Sequence, residues 1–289
     1  MIGLDPLETL YDSDRGVELP LPPELAVIYG NFSFPRHPGR PYVISNFVTT
    51  LDGVASLGVP GKEGGGAISG DNPHDRMVMG LLRAVSDAVI VGAGTLRGSP
   101  QHIWTADYIF PSLANAFCDL RTRLKKTNAP LNVIVTAHGE IDPCLPVFQS
   151  GKVPVLIVTT ASGARRIPQG SLGSSVQIGI VKPEDSISVS EILQEIARFS
   201  HKEIDLILVE GGPQLLGNFY AERALDEQFL TLAPQVAGRD DTTERPGFVA
   251  GKLLAPEFPT WGSLVSVKRS ASHLFLRYAI DKKVRRALG

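Results

Sequence analysis

Cysteine is scarce. Cys118 and Cys144 are the only two in 289 residues, too few for a disulfide framework or a four-thiolate metal site, and a reducing compartment such as the cytoplasm is expected. An excess of charge of either sign is missing as well. Lys and Arg total 28 against 30 Asp and Glu, a net charge of −2, so no global positive field exists to hold a phosphate backbone, and nucleic acid is not an expected partner. Long hydrophobic runs are absent: Ala88 to Val91 and Val153 to Val158 fall far short of the roughly 18 apolar residues of a membrane span. The opening stretch MIGLDPLETLYDSDRG carries four acidic residues and no apolar core of signal-peptide length, so no secretory signal and no membrane partner are expected. The basic tail Lys282, Lys283, Arg285 and Arg286 reads as a solvated helix end.

Several catalytic signatures are lacking too. No G-x-S-x-G occurs, and Gly61-Lys62 runs into Glu63 and Gly151-Lys152 into Val153 where a P-loop needs Ser or Thr, which disfavours a hydrolase and an NTPase. His138-Gly139-Glu140 followed by Pro143-Cys144 imitates part of a zinc deaminase signature, but Val147 stands where the second thiolate would fall. His138 and Cys144 alone cannot complete a three-ligand site, and His37, His74, His102, His201 and His273 show no ligand spacing, so no metal is expected.

Hydrophobic residues make up 43% of the chain and charged residues 20%, enough for a sizeable core. Residues 1–41 hold seven of the 22 prolines and little periodicity, and read as a proline-rich extended arm, with folded structure proper starting at Tyr42. Beyond it, 42–289 reads as one domain without repeat or linker. Tyr42 to Thr49 alternates as a strand. Asp71-Asn72-Pro73 supplies a cap and a first-turn proline ahead of Val78, Leu81, Leu82 and Val85 at helical spacing. Ala88 to Val91 is a wholly apolar strand buried on both faces. Further strands are expected at Leu131 to Thr136, Val153 to Thr159, Val176 to Val181, Ile204 to Val209 and Glu227 to Ala233. Ser188 and Glu191 form a capping box for a helix through Phe199, Leu215 to Ala221 reads as another helix, and Leu264 to Arg269 with Leu274 to Ile280 reads as a hairpin. Alternating strands and helices followed by terminal strands imply one three-layer α/β domain with a mixed sheet flanked by helices.

Two of the apolar strands end in glycine-rich turns that feed helices, Gly92-Ala93-Gly94-Thr95 and Glu210-Gly211-Gly212-Pro213. In an open α/β sheet, ligands sit outside the carboxyl ends of the strands, where glycines let phosphate approach backbone N–H groups at a helix start; two such turns suggest a dinucleotide. The ordinary G-x-G-x-x-G fingerprint fails, because Arg97 holds the place of its third glycine. Thr50, Asp52, Ser69, Thr95 and Glu210 gather at the same strand ends and turns.

NFVTTLDG (46–53), AISGD (67–71), LLRAVSDAVIVGAGT (81–95) and LILVEGGPQLLGNF (206–219) resemble, in order and spacing, the reductase domain of bifunctional riboflavin-biosynthesis deaminase/reductases, over residues 40 to 281. The resemblance implies a dihydrofolate-reductase-like fold, NADPH as cofactor, a homodimer, and reduction of the ribose of a pyrimidine ribosylamine phosphate to ribityl. It implies cofactor contacts from Val48, Gly94, Thr95, Gly211, Gly212, Pro213, Gln214, Leu215, Leu216, Gly217 and Asn218, with Thr136 and His138 near the 2′-phosphate. It places Arg83, Glu210 and Ser69 on the substrate side, with Arg83 pairing the substrate phosphate, and puts Glu210, Asp52 and Ser69 in the catalytic set. Three places depart from the family pattern: Val54 where a lysine follows LDG, Ala67 where W-I-[ST] has tryptophan, and Gly98-Ser99 where D-D-P has its aspartates. They imply an altered or wider substrate, so a pteridine or dihydrofolate-like reductase and a nucleotide-binding protein without turnover stand as alternatives. For the dimer, Leu274, Leu276, Tyr278 and Ile280 put an apolar stripe on one face of the last strand.

Overall fold

The computed structural model describes residues 3–59, 64–168, 170–182, 186–200 and 203–282. Lys283, Arg285 and Arg286 of the basic tail and His201 therefore lie outside the described residues. The strands are β1 (Glu8–Asp12), β2 (Val17–Glu18), β3 (Ser33–Phe34), β4 (Tyr42–Thr49), β5 (Ala88–Gly92), β6 (Leu131–Thr136), β7 (Val155–Thr160), β8 (Val176–Val181), β9 (Leu206–Gly211), β10 (Glu227–Leu232), β11 (Gly262–Ser270) and β12 (His273–Ile280). The helices are α1 (Pro23–Tyr29), α2 (Gly65–Ser69), α3 (Pro73–Val85), α4 (Ala93–Gly98), α5 (Ala106–Ile109), α6 (Ala114–Arg123), α7 (Pro146–Gln149), α8 (Ala161–Arg166), α9 (Val189–Phe199) and α10 (Pro213–Ala221).

Ten strands form one mixed sheet in the order β1-β11-β12-β10-β4-β9-β5-β6-β7-β8. From β10 to β8 every neighbouring pair is parallel, and β12, β11 and β1 add an antiparallel edge. The parallel strands bury both faces, which is why Ala88-Val89-Ile90-Val91 and Leu206 to Val209 are unbroken apolar runs. Met77, Leu81, Leu82, Phe117 and Leu120 from α3 and α6 fill one side of the sheet. Ile192, Ile196, Leu216 and Phe219 from α9 and α10 fill the other, giving the three layers expected.

Asn72, rather than Asp71, caps α3: its Oδ1 accepts from the amides of His74 at 2.9 Å and Asp75 at 3.1 Å. The capping box of Ser188 and Glu191 forms as its spacing predicts.

Folded structure does not start at Tyr42. Thr9 and Tyr11 of β1 pair with Lys268 and Val267 of β11, and Leu25, Ile28 and Tyr29 of α1 are buried in the main core. Prolines sit at the start of α1 and between these short pieces, so they punctuate the segment without preventing its burial.

Candidate functional site

The chain leaves β4, forms α2 and α3, and returns as β5, but a place is left between β4 and β5 into which β9 later inserts. The carboxyl ends of these three strands thus meet, and β9 arrives with Glu210-Gly211 at its tip. The ladder between β5 and β9 pairs Ile90 with Val209 and Val91 with Gly211, so Glu210 is an extra residue in a bulge. A bulge re-aims its side chain, and Glu210 consequently borders a cavity.

That cavity, about 340 Å³, is bounded by Asn46, Phe47 and Val48 of β4, Asp75, Arg76, Met79 and Arg83 of α3, and Thr95, His102, Trp104 and Glu210-Gly211-Gly212-Pro213. A longer groove of about 940 Å³ runs from it along Gly92-Ala93-Gly94-Thr95, Val135 to His138, and Gly212 to Leu215 and Asn218, closed on one side by Thr242, Thr243, Glu244, Pro246 and Ala250. Thr95, Gly212 and Pro213 border both.

Glycine is required at the junction. Gly211 has φ +148°, and a Cβ there would stand 2.6 Å from Thr95 Oγ1. Gly212 caps α10 with no side chain, and Pro213 fills its first turn. The free backbone N–H groups behind it therefore face the groove, a ready anion-binding end.

Glu210 and Arg83 form a buried bidentate pair. Arg83 Nη2 donates to Glu210 Oε2 at 2.7 Å and Nε donates to Oε1 at 3.1 Å, with side chains 5% and 2% exposed. Arg83 Nη1 donates to Thr105 O at 3.2 Å and to His102 Nε2 at 2.9 Å. Since arginine only donates, His102 accepts there as a neutral ring, and burial with the Arg83 charge beside it pushes its pKa down to about 3. Arg83 is thereby committed within the protein. The expectation that it pairs the substrate phosphate is corrected: it borders the cavity, but its donors are spent on Glu210, His102, Thr105 and Met79 Sδ.

Three other expectations are also corrected. Asp52 borders neither cavity. Its carboxylate accepts from Thr50 Oγ1 at 2.5 Å and from the amides of Ala237 at 3.1 Å and Gly238 at 2.8 Å, bonds that hold its pKa down near about 2. It anchors the segment that closes the groove. Ser69 lies 2% exposed behind the cavity wall, where its hydroxyl donates to Gly66 O at 3.4 Å. Leu216 is 0% exposed in the core, and Gly217 faces the loop at Ala250, whose carbonyl oxygen would stand 2.3 Å from an added Cβ. Helical rotation turns both away from the groove that Gln214, Leu215 and Asn218 border.

Val48, Thr95, Glu210 and Gly211 to Pro213 meet at the small cavity, and Gly94, Thr136, His138, Gln214 and Leu215 at the groove. Thr136 Oγ1 accepts from the amide of Gly139 at 3.1 Å, so it shapes the turn that presents exposed His138.

Asp75 is the residue that sequence reasoning missed. It is 4% exposed on the cavity wall, and burial raises its pKa above the ordinary carboxylate range against hydrogen bonds from Thr231 and Ser69. In sequence it passes for a first-turn acid suited to the helix dipole. A signal did exist: Asp75, Met79 and Arg83 are spaced by four residues, one stripe of α3, so the stripe that carries Arg83 carries Asp75.

The sequence profile of the RibD C-terminal domain matches residues 41–257, three quarters of the chain. The chain belongs to the RibD C-terminal domain family. A relative in Archaeoglobus fulgidus, a 2,5-diamino-6-ribosylamino-4(3H)-pyrimidinone 5′-phosphate reductase, is 24% identical over 208 residues, 71% of this chain and 85% of the relative. A pyrimidine reductase-like protein of Corynebacterium diphtheriae has the same fold, with TM-score 0.65 at 19% identity over 90% of this chain and 99% of that one. A Thermotoga maritima diaminohydroxyphosphoribosylaminopyrimidine deaminase/5-amino-6-(5-phosphoribosylamino)uracil reductase superposes with TM-score 0.56 at 21% identity, over 83% of this chain and 56% of that one. The RibD-type reductase fold is thus present, with the mixed sheet that the resemblance implies. Among the described residues no helix is long and apolar enough to cross a membrane, and no cluster of His, Cys, Asp and Glu could hold a metal.

Proposed function

We propose that the protein is an NADPH-dependent reductase that reduces the ribosylamine carbon of a pyrimidine ribosylamine phosphate, the reaction class of its family. The observation that carries this reading is the confluence of a groove and a smaller polar-edged cavity at Thr95, Gly212 and Pro213, so that an elongated cofactor and a compact ring would meet there.

The residues fit such a cofactor: open space above Gly94, the α10 amides, and the Cβ-free approach at Gly211 and Gly212 form a cradle for a pyrophosphate. Arg97 borders the same groove as its cation among the described residues. When bound, the dihydronicotinamide supplies a hydride, and completing the reduction takes one proton delivered to the adjoining nitrogen. Trp104, Met79 and Phe47 exclude water from the small cavity, while Glu210, fixed by Arg83, offers a carboxylate to orient the protonated nitrogen.

One observation favours a second reading, a dihydropterin or dihydrofolate-like ring as substrate. With Arg83 committed to Glu210, Arg76 is the other cation bordering the cavity among the described residues, and its Nε donates to Ile109 O at 3.2 Å. A ring without a phosphate asks less of this wall.

Titrating NADPH and NADH against tryptophan fluorescence tests the cofactor, since Trp104 borders the cavity; NADPH should bind at least ~10-fold more tightly, and equal binding or none would refute the proposal. Steady NADPH oxidation with the ribosylamine phosphate supports the first substrate, oxidation with dihydropterins alone the second, and binding without oxidation a protein that holds nucleotide without turnover. We further propose a homodimer through the sheet face where Leu274, Leu276, Tyr278 and Ile280 stay half-buried and alternate with buried Phe275 and Arg277. Light scattering at micromolar concentration should give a two-chain mass, and a one-chain mass would reject it.

A further inference from the structure

Every N–H group of the Arg83 guanidinium has an acceptor. Nε and Nη2 reach Glu210, Nη2 also reaches Met79 Sδ at 3.3 Å, and Nη1 divides between Thr105 O and His102 Nε2. Among these acceptors only His102 is a side chain from neither α3 nor β9. It stands in the loop between α4 and α5, with its ring centroid 5.1 Å from that of Trp104 and 4.6 Å from that of Tyr108. The loop is pinned on both sides of the ring. Asn132 of β6, 0% exposed, accepts from the Trp104 amide at 3.0 Å and donates to its carbonyl at 3.2 Å, while Tyr108 Oη donates to Gln101 O at 2.9 Å. A guanidinium only donates, so the ring proton of His102 is on Nδ1.

We infer that His102 is a positioning residue: by accepting from Nη1 it fixes the rotation of the Arg83 guanidinium, and with it the orientation in which Glu210 presents its carboxylate to the small cavity. This deepens the reductase reading and rests on it. Arg83 is 2% exposed, so an Nη1 hydrogen without His102 is left to water or to a ligand in the cavity that both residues border. The guanidinium then turns toward that new partner, and the carboxylate bound to its other edge turns with it. Small misplacements of a group that orients a reacting atom cost turnover steeply. Burial, and then the charges of Arg83 and Arg76 on α3, keep the ring unprotonated, so the acceptor is present at neutral pH.

Two variants of the full chain separate the ring from the acceptor. His102→Phe keeps an aromatic ring against Trp104 and Tyr108 and removes the acceptor, whereas His102→Gln drops the ring and keeps an oxygen for Nη1. His102→Phe should lower kcat by ~10–10²-fold, the scale of a lost hydrogen bond to a charged group, with NADPH affinity within about threefold of wild type. His102→Gln should recover kcat to within about fivefold of wild type. In a Glu210→Gln background, His102→Phe should cost less than about twofold further, because the group it positions is already gone. Wild-type turnover in His102→Phe, equal damage from both variants, or the same loss in both backgrounds would overturn the inference. Should His102→Phe not fold, ¹⁵N NMR of the histidine-labelled chain decides. His102 should carry its proton on Nδ1 alone at about pH 7, and its Nε2 resonance should move on Glu210→Gln; an Nε2–H ring or an unmoved resonance overturns the inference. If neither the ribosylamine phosphate nor a dihydropterin drives NADPH oxidation, the proposed function falls while these spectra still judge His102, so the two failures are told apart.

Discussion

Replacing Glu210 with glutamine removes one charge from a pair held at 2.7 Å with both side chains nearly inaccessible. Breaking one partner of a buried pair costs about 3–5 kcal/mol, because the other charge is left uncompensated. Glutamine keeps one oxygen for Arg83 Nη2 but turns its NH₂ toward other donors, so the low end, about 3 kcal/mol, is expected. For a chain of this size each kcal/mol corresponds to roughly 2–3 °C, giving a loss of about 6–9 °C in melting temperature. Turnover should fall by ~10²-fold or more, the scale of a lost acid–base or charge-orienting group, with NADPH affinity changed less than about threefold. The double variant Glu210→Gln/Arg83→Met should recover most of the stability and none of the turnover. Melting temperature, cofactor affinity and kcat measured on the three proteins settle the matter. A Glu210→Gln enzyme with wild-type turnover would refute the role given to the pair, and one with wild-type stability would refute the burial on which the magnitude rests.

Asp75→Asn should raise the melting temperature at neutral pH and leave it unchanged near pH 3.5. A carboxyl whose folded pKa is raised binds its proton more tightly when folded, so it loses stability as pH rises above its unfolded value of about 4; a variant no more stable at pH 7 would contradict its desolvation. Asp52→Asn should raise the KM for NADPH about threefold or more while leaving kcat within about twofold, because the residue holds the Ala237 and Gly238 amides beneath the groove's closing segment. A large drop in kcat with unchanged KM would restore Asp52 to the chemistry. Gly211→Ala should abolish cofactor binding or folding, given its φ of +148° and the 2.6 Å approach to Thr95; a functional variant would show that the turn is not a tight cradle.

The central strands were legible because burial on both faces writes itself as an unbroken apolar run, as at Ala88 to Val91, and the α9 cap because Ser188 and Glu191 carry a local hydrogen-bond code. Short α6 was not legible. Its burial rests on Phe117, Leu120 and the guanidinium of Arg121, which donates to the carbonyls of Arg83, Ala84 and Ser86 at the end of α3, and no pattern announces an arginine used that way. At the site, Gly94, Gly211 and Gly212 were legible as turn glycines, and they border the groove and the cavity. The charged residues misled where a partner in space changed their role. Arg83 looked free until Glu210 came to it across 127 residues, and Asp52 looked reactive until two distant amides claimed it.

The N-terminal segment completes a charge network on the far edge of the sheet. Arg277 of β12 is held by Glu227 at 2.6 Å and by Asp14 at 2.6 Å, donates to the carbonyl of Ser33, and lies over the rings of Phe32, Phe34 and Phe229. Four of those six partners come from residues 14–34, ahead of the first residue matched by the family profile. A chain trimmed to residue 41 would leave a guanidinium in the sheet with one carboxylate and one ring, and would strip β1 from Ser266, Val267, Lys268 and Arg269 of β11, opening that edge to pairing with other molecules. The family domain of this protein is thus not portable at its profile boundary: fused or transplanted from residue 41 onward, it would meet its new neighbours as an aggregation-prone edge.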